Sequence, residues 1–382
     1  MTFISSVGSA VAPVVVAFVC AALLALVLTP VVRRVVMRYE MVDRPEARRV
    51  NTIPVPRGGG LAVSAAFLLV AGAFLLVNQD GRFVPVPILL QPSEVAALLL
   101  GGGVAAALGA IDDLLDLRAR MQLLGQILLA AGAVALGISI DFIANPFAPG
   151  VIRFSGPIAA GLTIFWIVGM INSINWIDGL DGLSSGIAFI AAVTLGLISL
   201  TTQVGQPLIA VLCFALAGSL LGFLRWNFHP ATIFAGTSGV QFVGFTLAVL
   251  AILGTAKVAV ALLVLGVPII DTFWIIVRRL SEGRSPFSPD KTHIHHRLLD
   301  LGLSHRQTVV AIYGICLVLA VLSLLLSGVT QLYAFVGVFI AFGLVLFLPI
   351  RGDFRRPDEL QAEAYDADPI ADMREPVGRP PR

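Results

Sequence analysis

Apolar runs near residues 9–31, 61–78, 94–110, 121–140, 158–171, 183–201, 207–224, 239–255, 257–277, 307–326 and 331–350 leave this chain almost no choice of fold. A helix needs roughly 20 apolar residues to cross the hydrocarbon of a bilayer, where no water is at hand to satisfy an open backbone. Eleven such runs predict an all-α, polytopic integral membrane protein with about eleven transmembrane helices. The composition agrees, with 58% apolar and only 13% charged residues, against about 25% charged in soluble domains. The pair 239–277 is the least sharply divided, because only Gly254-Thr255-Ala256-Lys257 separates its halves.

Basic residues orient the array, since Lys and Arg concentrate in cytoplasmic loops. With the N-terminus outside, the inside segments are 32–60, 111–120, 172–182, 225–238, 278–306 and the tail from 351. They hold all of the 25 Lys and Arg except Arg82, Arg153 and Lys257. The C-terminus is then cytoplasmic. No basic segment precedes the first run, which argues against a cleaved signal peptide. Residues 1–350 read as one membrane domain. Residues 351–382 are polar, contain Pro, lack an apolar period and are expected to be disordered, touching at most lipid headgroups. Cys20, Cys213 and Cys316 fall within apolar runs and read as packing residues.

Two acidic clusters stand out against this background. Asp112-Asp113-Leu114-Leu115-Asp116 ends the third run. If the helix continues, Asp112 and Asp116 are i,i+4 neighbours. Carboxylates at a helix C-terminus oppose the macrodipole, so stability does not explain them. Pairing with Arg118 and Arg120 is the plainer reading. Asn172-Ser173-Ile174-Asn175-Trp176-Ile177-Asp178-Gly179-Leu180-Asp181-Gly182-Leu183 joins two further runs. Its glycines permit tight turning, and Asp181 could cap the next helix. One capping residue does not require the whole array. Ionisable groups this close to a bilayer are functional by default, and these suit a divalent cation with phosphate oxygens.

The loop 278–306 adds Arg278, Arg279, Arg284, Lys291, His293, His295, His296 and Arg297, and four of the five His lie in it or at its end. Arg suits a diphosphate through paired hydrogen bonds. Zinc on His-x-His-His would need further His or Cys ligands, and plain cytoplasmic orientation accounts for the Arg but not the His. Arg57-Gly58-Gly59-Gly60 could offer backbone N–H groups to an anion at the second helix. Asp271, inside the ninth run, reads equally as a helix-pairing group.

In this order, the residues resemble the polyprenyl-phosphate N-acetylhexosamine-1-phosphate transferases, the superfamily that includes the phospho-MurNAc-pentapeptide translocase. The resemblance runs from about Val42 to Leu298. It rests on Asp112-Asp113, on the run from Asn172 to Leu183, on Asn227-Phe228-His229-Pro230-Ala231-Thr232-Ile233-Phe234, on Ser285-Pro286-Phe287-Ser288-Pro289-Asp290 and on His293-x-His295-His296-Arg297-Leu298. The His-x-His-His-Arg form is similar to the branch that initiates glycans on undecaprenyl phosphate.

The resemblance implies transfer of a sugar 1-phosphate, GlcNAc by default, from a UDP-N-acetylhexosamine to undecaprenyl phosphate, with UMP released. It implies Mg²⁺, with Mn²⁺ as the alternative ion. It places the enzyme in the inner (plasma) membrane with its site on the cytoplasmic face, and it allows a homodimer. Nothing calls for a nucleic acid. The expected site comprises Asp112, Asp113 and Asp178 in catalysis and Asp113, Asp178 and Asp181 at the metal. Arg57, Asn172, Asn175, Asp181, Asn227, His293, His295, His296 and Arg297 are expected to hold substrate.

Three positions depart from the family pattern: Thr237 replaces a usual Asp metal ligand, Asn51 a usual His, and Gln122 a frequent Lys. They leave open a relative that binds polyprenyl phosphate or UDP-sugar without turnover. A transporter would also bury carboxylates, but such folds show internal repeats with broken helices, and none is visible here.

The orientation is directly testable. A cysteine at Asp80 should react with an impermeant reagent added from outside, and one at Ser281 should not. The reverse pattern would turn both acidic clusters away from cytoplasmic nucleotides.

Overall fold

A computed structural model describes residues 2–43, 54–86, 90–145, 147–148, 150–201, 204–254, 257–285, 293–326 and 329–347. Asn51, residues 286–292 and the tail 351–382 lie outside them. The structure is helical nearly throughout. In chain order its elements are α1 (Thr2–Arg38), β1 (Val42–Asp43), β2 (Val55–Pro56), α2 (Gly60–Val77), α3 (Pro92–Leu115), α4 (Ala119–Ala135), β3 (Phe142–Ala144), β4 (Val151–Arg153) and α5 (Gly156–Ile177). There follow α6 (Leu183–Leu200), α7 (Pro207–Asn227), α8 (Gly236–Leu253), α9 (Lys257–Val264), α10 (Gly266–Ser281), α11 (Ile294–Asp300), α12 (His305–Leu325) and α13 (Val329–Phe347). The strands form two small antiparallel pairs, β1–β2 and β3–β4.

Every predicted apolar run falls on a helix, but the runs are not equal. Among the described residues, eight helices are long and apolar enough to cross a membrane. The run 257–277 is a pair, α9 and α10, bent by 78°, and α4 and the apolar part of α13 are shorter. Another difference bears on the site. The run 158–171 continues to Ile177 as α5, so Asn172 and Asn175 lie on a helix rather than in a loop.

At the centre, α6, α7 and α8 are each at least twice as buried as the other long spans. In lipid, helices gain little from hiding apolar surface and associate by close backbone packing at small residues. That is how this centre is built. Gly218 and Gly222 of α7 lie against main-chain atoms of α1 around Phe18 and Ala22. Gly60 of α2 and Gly109 of α3 meet the first turn of α8, at Gly239 and Ser238. Buried hydroxyls of Thr29, Thr163, Thr194, Ser199 and Ser219 return hydrogen bonds to carbonyls four residues back, so they leave no polar group open to lipid. The cysteines Cys213 and Cys316 are buried, and all three are free thiols.

The Gly60 contact generates a test. A Cβ there would collide with the Gly239 main chain, whereas one at Gly72 meets nothing within 4 Å. Overpacking costs about 1–3 kcal/mol. Gly60→Ala should lower the thermal unfolding temperature in detergent, and Gly72→Ala should leave it unchanged.

Candidate active site

The last turn of α3 carries Asp112 and Asp113, both buried. The helix stops at Leu115, and Asp116 adopts a left-handed φ of 47°. The helix therefore does not continue through Asp116, although the Asp116 N–H still donates to the Asp112 carbonyl at 2.9 Å. Asp116 turns out to the Arg57 guanidinium rather than to Arg118 or Arg120. Asp112 Oδ1 accepts from the Leu117 N–H at 3.0 Å and from Gln122 Nε2 at 2.8 Å. Gln122 thus fixes Asp112 with a neutral amide.

Asp113 does something a sequence does not display. Its two oxygens accept the backbone N–H groups of Thr237 (2.8 Å) and Ser238 (3.0 Å). These belong to the first turn of α8, which has no side-chain cap of its own. A helix N-terminus has open donors and partial positive charge, so the carboxylate that opposes its own helix dipole is held by another. Arg57 Nε donates to the Asp113 carbonyl, bracing the turn.

The glycines after Arg57 serve main-chain pairing instead of anion binding. Gly59 and Gly60 donate to the carbonyls of Phe234 and Ala235, and Phe234 donates back to Pro56, each at 2.8 Å. This ladder seats Arg57 beside α3 and α8. Asn227, read from the sequence as a substrate ligand, is buried, accepting from Ser185 Oγ and donating to the Ile233 carbonyl. Asn172 donates to Gln126 of α4 and to the Val168 carbonyl. Asn175 lies one turn before Asp178 and accepts its N–H at the main chain.

The loop between α5 and α6 carries the second cluster. Asp178 Oδ1 accepts from the Ser184 hydroxyl. Desolvation, opposed by that bond and reinforced by the charges of Asp113 and Asp181, pushes its carboxyl up to about 6. Asp178 therefore feels both of the other carboxylates. Asp181 Oδ2 accepts from the Ala231 N–H at 3.0 Å and is paired with His229 Nδ1 at 2.7 Å. It does not cap α6, where Gly182 occupies the cap position.

The His loop closes over this side. His293 Nδ1 pairs with Asp271 Oδ2 at 2.7 Å, and the Ile294 N–H reaches Asp271 Oδ1 at 2.9 Å. Asp271 therefore ties α10 to the loop instead of pairing transmembrane helices. His295 is buried, with its ring against Gly179, where any Cβ would strike it. Burial, together with His296, His293 and His305, holds its pKa well below the usual imidazole value, leaving it neutral. His296 and Arg297 follow on α11, half-buried. Arg279, further back on α10, lies over the Trp176 ring at 5.0 Å.

Thus Asp178 lies within electrostatic reach of Asp113 and of Asp181, with Arg57 braced against the Asp113 turn and His295 of the His loop packed on Gly179. Sequence reading missed Ser184, Ser185, Ser238 and the partners of Asp181. His229 was visible within the Asn227–Phe234 motif and His305 as a histidine at the end of the His loop, neither with its partner. Asp113, Asp178 and Asp181 offer oxygen donors only and carry mutually unfavourable charge. That donor set fits a hard divalent cation such as Mg²⁺ or Mn²⁺.

Residues 95–255 match the family described as Glycosyl transferase family 4, and the chain belongs to this family. It is 36% identical over 344 residues to the probable undecaprenyl-phosphate N-acetylglucosaminyl 1-phosphate transferase of Bacillus subtilis (strain 168), covering 88% of this chain and 90% of that one. It is 34% identical over 368 residues to the decaprenyl-phosphate N-acetylglucosaminephosphotransferase of Mycobacterium tuberculosis (strain ATCC 25618 / H37Rv), covering 87% and 88%. With the undecaprenyl-phosphate alpha-N-acetylglucosaminyl 1-phosphate transferase of Yersinia pestis it shares 28% identity over 293 residues, covering 74% and 76%.

Proposed function

We propose that this chain transfers N-acetylglucosamine 1-phosphate from UDP-GlcNAc to a polyprenyl phosphate, undecaprenyl phosphate in the first instance. An acceptor phosphate oxygen forms a bond to the β-phosphorus of the donor. The bond from that phosphorus to the oxygen bridging the α-phosphate breaks, and UMP leaves with that oxygen. The observation that carries this reading is the placement of Asp178 within electrostatic reach of both Asp113 and Asp181, next to the His loop through the Gly179–His295 contact, at one end of a bundle of apolar helices. One substrate is a lipid and the other a soluble anion, so the chemistry belongs at a membrane surface. The distribution of basic residues makes that surface the cytoplasmic face of the inner membrane, with the N-terminus outside and eleven crossings, α9–α10 counting as one.

A phosphate monoester has its second pKa near 6, so the acceptor is largely ionised at neutral pH and needs little help from a base. Catalysis then becomes positioning and charge compensation. Asp113, Asp178 and Asp181 would hold Mg²⁺ or Mn²⁺, which when bound neutralises phosphate charge. Asp113 is presented rigidly because α8 receives it, which is how the site does without the aspartate usual at position 237. Asp112 holds the turn that presents Asp113. Arg297 and His296 are the donor-phosphate candidates. His293 and His295 are spent on Asp271 and on packing against Gly179, Asn227 is a strut and Asn172 a link to α4.

Release of UMP by the purified protein tests this. Asp113→Asn and Asp178→Asn should each lower turnover by at least about 10²-fold, as for loss of a key electrostatic group. Asp112→Asn should cost less, since an amide oxygen still accepts from Leu117. Wild-type rates in both of the first two variants would sink the assignment.

The raised Asp178 pKa adds a pH dependence with a definite sign. Below about 6 the carboxyl is protonated, and a cation must displace that proton to bind. Apparent Mn²⁺ affinity, followed by electron paramagnetic resonance, should fall as pH drops from 7 through 6 to 5. Asp178→Asn should flatten that slope.

A further inference from the structure

We infer that the first three turns of α12 position the catalytic loop, with His305, Arg306 and Tyr313 holding residues 178–182 in register from outside the reacting groups. This rests on the assignment of Asp178 and Asp181 to the reaction.

The contacts come from one helix and converge on one loop. His305 Nε2 accepts the Asp181 N–H at 2.9 Å, so that nitrogen carries a lone pair toward the loop. The His305 ring stacks on His229, centroids 4.2 Å apart and planes 21° apart. His229 in turn pairs through Nδ1 with the Asp181 carboxylate. Arg306 donates from both Nε and Nη2 to the His229 carbonyl, fixing the stack from the other side. Asp181 is thereby held at its main chain by one imidazole and at its side chain by another, and each imidazole steadies its neighbour.

Two turns further on, about 12 Å along the helix, the Tyr313 hydroxyl donates to the Gly182 carbonyl. Gly182 sits at a φ of 78° as the entry residue of α6. The Tyr313 ring fills the space where a Cβ at Gly186 would lie, so glycine and tyrosine form a matched pair across α6 and α12. Asp178 lies between these anchors and the end of α5, tied to Ser184 on the first turn of the same α6. Ser304 and Gln307 form a reciprocal cap at the start of α12, which makes its first turn a firm base. Only the turn 301–304 separates α11, which carries His296 and Arg297, from α12, which holds the acidic loop.

Asp181, His229 and His305 also lie within 4.8 Å of one another at their ligand atoms, a spacing that a His-rich metal site would share. Here His305 Nε2 accepts the Asp181 N–H and His229 Nδ1 is paired with Asp181 Oδ2, so neither imidazole nitrogen is turned toward an ion of its own. The observations therefore favour positioning over a second cation.

The test uses the full-length protein in detergent, with UDP-GlcNAc and a short polyprenyl phosphate. Tyr313→Phe removes one hydroxyl and keeps the ring against Gly186, and the Gly182 carbonyl still receives the Gly186 N–H, so stability should hold. This variant and His305→Ala should each lower kcat about 3- to 10-fold, the weight of one net hydrogen bond. KM for the UDP-sugar and the unfolding temperature should stay unchanged. His305→Gln, which keeps an acceptor near the same point, should restore most of the loss. Wild-type kcat in both Tyr313→Phe and His305→Ala, with Asp178→Asn inactive, overturns the positioning role alone. So does a loss of kcat that tracks a fall in unfolding temperature and is not recovered by glutamine. One equivalent of Zn²⁺ bound by the wild type and lost in His305→Ala would make the cluster a metal site instead. Full turnover in Asp178→Asn would overturn the site assignment and this inference with it.

Discussion

The carboxylate of Asp113 on the open end of α8 is the bond around which the rest is arranged. It joins the helix that ends in acid to the helix that begins with unpaired donors, and each cancels the other's electrostatic fault. The bond is feasible only because the helices come very close. Gly109 and Gly60 let α3 and α2 reach the main chain of α8 at Ser238 and Gly239, and the ladder from Pro56 to Gly60 locks the connecting segment to residues 234–235. A methyl group added at Gly60 or Gly109 would strike the main chain of α8 in the turn that receives Asp113.

Asp178 is balanced differently. It sits on a loop, bound by one hydroxyl and repelled by two carboxylates, and so retains affinity for positive charge. The site thus contains carboxylates with two protein partners each, Asp112, Asp113 and Asp181, and one, Asp178, with a single hydroxyl. Such an arrangement separates scaffold from chemistry: the first defines where the groups are, and the second defines what they attract.

The sequence made much of this legible. Hydropathy located the helices, and the acidic residues that meet in space were the ones that composition made conspicuous. It read the ends of elements less well. Asn172 and Asn175 were assigned to a loop because polarity begins there, yet α5 continues six residues past the apolar run to Ile177. The glycines after Arg57 suggested an anion cradle, but their N–H groups are paired with carbonyls in a segment far along the chain. The cap of α8 left no trace near α8, since Ala235 cannot cap and the capping group arrives from α3. His305 was noticed only as one more histidine, because its partner lies 124 residues earlier. Local pattern reveals faces and periods; it does not reveal which distant main chain will take up a donor.

The same 124-residue separation divides Asp113 from Thr237, and this has a consequence for biosynthesis. A carboxylate placed within a spanning helix costs at least about 2.5 kcal/mol on insertion scales when it lies at the centre, and chains emerge N-terminus first. While the ribosome is still translating α4 through α7, α3 is already made but the main-chain groups that receive Asp113 do not yet exist. The nascent protein therefore carries its principal acidic residue without these donors while 124 further residues are made. The third helix reaches its final seat only after the eighth has followed it into the bilayer.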